Sequence, residues 1–155
     1  MGTVLTREAL GEHIEGLRKQ GKSIVTTNGC FDILHVGHVR ILKQSKARGD
    51  ILVVGINSDA SVRNLKGPER PINNQDDRAE LLSSLECVDI VSIFDEGTPV
   101  EFIKVVKPDI HVKGADYKPQ DLEETPVVES LGGRVEILPL VPQKSTTSLV
   151  QKIRG

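Results

Sequence analysis

Two rhythms of apolar and polar positions run along this chain. Short aliphatic and β-branched runs at 23–28, 51–57, 88–94, 109–112 and 134–138 are bounded by turn residues, as in strands buried on both faces. Between them, over 36–48, 74–85, 99–106 and 126–131, and again over 146–154, apolar residues recur at three- and four-residue spacing, as in amphipathic helices. The first 21 residues place Leu10, Ile14 and Leu17 on one face and predict a further helix. Strands that alternate with helices through short links imply parallel pairing and right-handed crossovers. The expected fold is α/β: a Rossmann-like open sheet of five parallel strands with helices on both faces. One domain is expected over 1–155, an N-terminal helix (1–21) joined to a core (22–155).

Composition narrows the picture. Aromatic residues are 3% of a chain that is 37% hydrophobic, so the core is built from Val, Ile and Leu, as parallel sheets are. With 20 basic and 22 acidic residues the net charge is −2, which argues against nucleic-acid or anionic-membrane binding. The two cysteines, Cys30 and Cys87, form no CxxC pair, so neither a disulfide framework nor a zinc ribbon is expected. No apolar run has signal-peptide or membrane-spanning character, and a soluble cytoplasmic protein is expected. The basic, Gly- and Pro-punctuated stretch from Asn64 to Ile72 predicts a mobile loop.

Open parallel sheets bind ligands beyond the carboxyl ends of their strands, so the residues there carry the candidate chemistry. The first strand leads into Gly29-Cys30-Phe31-Asp32-Ile33-Leu34-His35-Val36-Gly37-His38. His35 and His38 share the first turn of the next helix, where free N–H groups and the helix dipole attract anions. Gly37 between them permits close backbone approach. The second strand leads through Asn57 to a helical stub and then to Lys66 and Arg70. The fourth leads into Lys113-Gly114-Ala115-Asp116-Tyr117, and the fifth into Lys144 and Ser145-Thr146-Thr147. Four of five strand ends thus offer phosphate-compatible groups. No GxGxxG turn occurs, and the one GxxxxGK[ST] match, Gly16 to Ser23, precedes the first strand instead of joining a strand to a helix, so it is not a phosphate loop. Plainer readings exist for each residue: histidines that merely cap a helix, an ordinary Ser/Thr N-cap, a packed Cys30. Zinc on His35 and His38 would need a third ligand from Cys30 or His111, and no metal site is expected.

GCFDILHVGH resembles the HxGH signature of the cytidylyltransferase-like nucleotidyltransferase superfamily, and Ser145-Thr146-Thr147 resembles its second motif. Three longer segments, Leu65-Lys66-Gly67 with Arg70-Pro71-Ile72, Phe94 to Pro99, and Val112 to Tyr117, are similar to the branch that adenylylates D-glycero-β-D-manno-heptose 1-phosphate. The resemblance implies transfer of AMP from ATP, with Mg²⁺, to make ADP-heptose for the lipopolysaccharide inner core. It implies catalytic roles for His35, His38 and Lys66. Gly29, Cys30, Phe31, Gly37, Arg78, Gly114, Asp116, Ser145 and Thr146 are implied to bind the nucleotide. Asp32, Asn57, Arg70, Lys113 and Tyr117 are implied to bind the sugar phosphate. It also implies a homodimer. Relatives often carry a sugar-kinase domain on the same chain, and here a separate heptose kinase is expected. Related cytidylyltransferases carry an Arg shortly before the Ser/Thr cluster, where this chain has Val141-Pro142-Gln143-Lys144. That departure favours the adenylyl reading over a cytidylyltransferase for a small alcohol phosphate such as glycerol phosphate. A third reading is a non-catalytic nucleotide-binding sensor.

Overall fold

The structure, a computed structural model, describes residues 2–139 and Ile153. Within them the chain forms β1 (Thr3–Val4), α1 (Arg7–Lys19), β2 (Ile24–Gly29), α2 (Val36–Lys46), β3 (Ile51–Asn57) and α3 (Asp59–Lys66). There follow α4 (Gln75–Ser83), β4 (Ile90–Phe94), α5 (Val100–Val106), β5 (Ile110–Gly114), a 3-10 turn (Pro119–Asp121), α6 (Glu124–Ser130) and β6 (Arg134–Leu138). The helix expected over 146–154 lies outside the described residues except for Ile153.

All pairings are parallel, in the order β1-β4-β3-β2-β5-β6. The sheet has six strands where five were expected. The extra one is the N-terminal edge strand, and the helix predicted from residue 1 begins only at Arg7, after the Thr6 side chain caps it. Gly2 makes the edge possible, because a Cβ there would lie 2.5 Å from the Val88 carbonyl oxygen. Thr3 and Val4 then pair with Ile90 and Val91, as β-branched residues favour.

Side chains alternate across the sheet, so each strand feeds two cores. Leu52, Val54 and Ile56 of β3 pack with Leu42 of α2 and with Ala79 and Leu82 of α4. Val53 faces the other way, with Leu10 and Ile14 of α1, Phe102 and Ile103 of α5 and Val128 of α6. Gly55 is required on that second face, since a Cβ would lie 2.9 Å from the Phe102 ring. The chain runs outward from β2 through β3 to β4, then returns past β2 to lay down β5 and β6. The topological switch point therefore lies between the carboxyl ends of β2 and β5.

Candidate active site

The wall at the end of β2 is built by the start of α2. His35 is the N-cap residue; its Nδ1 accepts the Gly37 backbone N–H at 3.1 Å. The His35 backbone N–H donates to His38 Nδ1 at 3.3 Å. Two N–H groups orphaned by the helix start thus fix both rings, which stack with centroids 3.8 Å apart. A neutral ring whose Nδ1 accepts carries its proton on Nε2. His38 is held neutral: burial, then its neighbours His35 and Lys66, push its pKa down to about 4. It therefore presents an Nε2–H donor rather than a base. Phe31 sits 5.1 Å from the His38 ring and has a left-handed backbone, φ 48°, an unusual conformation for a bulky residue.

Behind this wall lies Arg78, 1% exposed. Its Nη1 donates to the Cys30 carbonyl (2.8 Å) and the Asn57 carbonyl (2.7 Å), its Nε to the Asn73 carbonyl (3.0 Å) and its Nη2 to Asp59 (2.8 Å). A guanidinium so committed clamps the ends of β2 and β3 together from below. The nucleotide contact expected of Arg78 is not what these bonds show. Asp32, likewise 1% exposed, accepts from the Ile72 and Asn73 backbone N–H groups and from Arg70 Nε at 2.7 Å. Burial pushes the Asp32 carboxyl up, but those donors outweigh it and hold it below its ordinary range. Asp32 and Arg70 are thus paired, with Arg70 Nη2 left without a hydrogen-bond partner among the described residues, and the far half of the stretch expected to be mobile is anchored to the segment that carries the histidines. Lys66, at the end of α3, stays exposed.

The opposite wall comes from β5 and the segment after it. His111 and Lys113 are two apart in a strand and share a face. His111 is fully buried, its Nδ1 2.7 Å from the Thr26 hydroxyl oxygen, and burial keeps it neutral. Lys113 Nζ lies 3.5 Å from Glu124 Oε2 and 5.2 Å from the centre of the Tyr117 ring. Burial raises the Glu124 pKa, but contact with His111 and Lys113 prevails and draws it down to about 2.

Between the walls is a cavity of about 510 Å³ at the switch point. Gly29, Cys30, Phe31, His38, Asn57 and Lys66 line one side, and Lys113, Gly114, Asp116 and Tyr117 the other. His35 and Gly37 stand in the helix start that holds His38, while Asp32, Arg70 and Arg78 brace the site from outside the lining. Ser145 and Thr146 lie outside the described residues. Sequence reasoning missed Glu124 and its neighbours Asp121 to Glu123, which border the cavity. One signal pointed there: Lys113, on the strand face it shares with buried His111, demands a counter-charge, and the acidic crossover that follows supplies it. Among the described residues no three His, Cys, Asp or Glu side chains gather as metal ligands. No described helix is long and apolar enough to cross a membrane.

The chain has known relatives in sequence and fold. A profile of the cytidylyltransferase-like family matches residues 26–151. The chain belongs to this family. Among cytidylyltransferase-like proteins it is 51% identical to the bifunctional protein HldE of Syntrophotalea carbinolica over 147 residues, 95% of this chain and 30% of that protein. It is 56% identical to the bifunctional protein HldE of Nitratiruptor sp. over 139 residues, 90% of this chain and 29% of that protein. The chain thus spans about 30% of the length of the curated relatives it matches. A crystal structure of the lipopolysaccharide core biosynthesis protein from Thermoplasma volcanium aligns with a TM-score of 0.66 at 37% identity, over 78% of this chain and 98% of that one. A pantoate-β-alanine ligase from Francisella tularensis, complexed with β-γ ATP and β-alanine, aligns with a TM-score of 0.64 over 98% of this chain and 73% of its own. At 14% identity that likeness is one of fold alone.

Proposed function

We propose that the chain transfers AMP from ATP to D-glycero-β-D-manno-heptose 1-phosphate, releasing pyrophosphate and forming ADP-heptose for the lipopolysaccharide inner core. The observation that carries this reading is the stacked, backbone-held imidazole pair at the helix start, of which His38 is neutral and lines the switch-point cavity together with Lys66. Similarity to HldE proteins and to a lipopolysaccharide core biosynthesis protein supports the choice of acceptor.

The chemistry needs no general base. A phosphate monoester with a second pKa near about 6 is largely dianionic at neutral pH. One of its oxygens attacks the α-phosphorus in line; the new P–O bond forms as the bond to the bridging α–β oxygen breaks, and that oxygen leaves on pyrophosphate. The task is to bring two anions together and to hold the charge that builds on the phosphoryl oxygens. His38, with His35 stacked on it, donates to those oxygens from the helix start. Lys66 neutralises charge from the α3 end. Ser145 and Thr146 are proposed to bind the far phosphates, and Gly114 and Asp116 the nucleoside. ATP would enter as its magnesium complex, and the ion would supply charge neutralisation on the phosphates. A sugar kinase must supply the acceptor, and a homodimer is the proposed assembly.

A pyrophosphate-release assay that crosses ATP and CTP with heptose 1-phosphate and glycerol phosphate tests the reading. Release is expected with ATP and heptose 1-phosphate. Release only with CTP and glycerol phosphate would replace it by the cytidylyl reaction, and no release with any pair would favour a nucleotide sensor.

A further inference from the structure

We infer that Lys113 and Glu124 together form a receptor for substrate hydroxyl groups, and that the phosphates bind at the other wall; this deepens the transferase reading and rests on it. Glu124 is 4% exposed yet borders the cavity. Its Oε2 lies 3.5 Å from both Lys113 Nζ and His111 Nε2, at the long limit of hydrogen bonding, and makes no well-formed hydrogen bond among the described residues, so it has room for a better donor. His111 Nε2 makes no well-formed hydrogen bond either. A buried carboxylate left short of donors is costly, and one at a cavity wall is completed by whatever binds there.

The donor inventory selects the ligand. A carboxylate only accepts and an ammonium only donates, whereas a hydroxyl does both. A sugar hydroxyl can donate to Glu124 while accepting from Lys113, and neighbouring hydroxyls can share the pair. A phosphate dianion gains from Lys113 but is repelled by the carboxylate 3.5 Å from that ammonium, at a site with little water to screen it. The cavity is polarised in the same sense: His38 and Lys66 on one side, Asp116, Asp121, Glu123 and Glu124 on the other. Phosphates belong at the first side and the uncharged, hydroxylated part of a substrate at the second. Two groups carry such hydroxyls, the nucleotide ribose and the acceptor sugar.

The sign of one substitution separates hydroxyl from phosphate binding. Glu124→Gln removes the charge and keeps the shape. If hydroxyls bind here, affinity for one substrate falls by about tenfold or more, as at sites built to bond a substrate hydroxyl. If a phosphate binds at Lys113, removing the repelling carboxylate tightens binding. Calorimetric titration with ATP, 2′-deoxy-ATP, 3′-deoxy-ATP and heptose 1-phosphate reads both outcomes and the source. A ribose receptor gives a loss for ATP, with one deoxy-nucleotide suffering no further loss in the variant. An acceptor receptor leaves ATP unchanged and weakens heptose 1-phosphate. Tighter binding of either substrate, or no change in both, overturns the inference. If Glu124→Gln does not fold, Glu124→Asp draws the carboxylate back while keeping its charge; weaker binding supports the inference, and unchanged or tighter binding overturns it. Pyrophosphate release by the unmodified chain judges the transferase reading separately, and the nucleotide and acceptor it turns over join the titration.

Discussion

The two walls of the cavity are built by opposite means. At the β2–α2 wall, two backbone N–H groups within one helical turn hold both histidines by their Nδ1 atoms. Everything needed lies within four consecutive residues, and the helix start dictates the geometry. At the β5–α6 wall, Thr26, His111, Lys113 and Glu124 meet from three elements, and the Thr26–His111 contact spans 85 residues. No single element dictates it, and each buried charge there is tolerable only because another stands beside it. The first wall's ring geometry is set locally, although burial keeps His38 neutral. The second exists only once β2, β5 and α6 are assembled.

Each substitution below breaks one side of this contrast. His38→Ala should cost the most, lowering kcat by roughly 10²–10³-fold, as loss of a preorganised donor does, with ATP affinity little changed. Steady-state kinetics beside a binding titration checks this, and near-normal turnover would remove His38 from the site. Arg78→Met attacks the brace that the β2–α2 wall shares with β3. It strips partners from three carbonyls and from Asp59, and should destabilise by about 3 kcal/mol or more, read as a lower thermal midpoint. Retained stability would show that the carbonyls find other donors.

Acid should separate the walls. His38 is neutral in the fold down to about 4, against an ordinary 6.5, so the unfolded chain binds the extra proton between those values and stability declines as pH falls from about 6.5 to 4. Glu124 titrates at about 2 against an ordinary 4.5, so its contribution is complete above pH 4.5 and is lost as pH falls toward 2. Glu124→Gln should flatten only the lower window, by an amount on the order of 2 kcal/mol; a denaturant series from pH 7 to 2.5 reads both. Lys66→Ala should do least to the fold, within about 0.5 kcal/mol, while lowering kcat/KM by about tenfold. Unchanged steady-state constants would take Lys66 out of the site.

Legibility followed the same division. The strands at 51–57 and 134–138 and the helix beginning at Val36 match the sequence expectation at those bounds, because local period and turn residues specify them. The edge strand at Thr3–Val4 escaped it, since two residues carry no period and the pairing depends on Gly2 meeting β4. Arg70 and Arg78 look alike as basic residues near a site. Only the fold shows one latched to Asp32 and the other buried beneath two strand ends. Glu124 was hard to single out within an acidic stretch: Lys113 calls for a counter-charge, but which carboxylate answers depends on the fold.

By itself the sequence determined the parallel α/β architecture and the two-histidine helix start, for a physical reason: strand and helix periods and a helix N-terminus are local properties that survive any tertiary context. Which charges face the cavity was decided only by the tertiary structure. Burying a charge is permitted or forbidden by partners distant in sequence, and only the assembled sheet brings Lys113 to Glu124 and turns Arg78 toward the backbone carbonyls of Cys30 and Asn57.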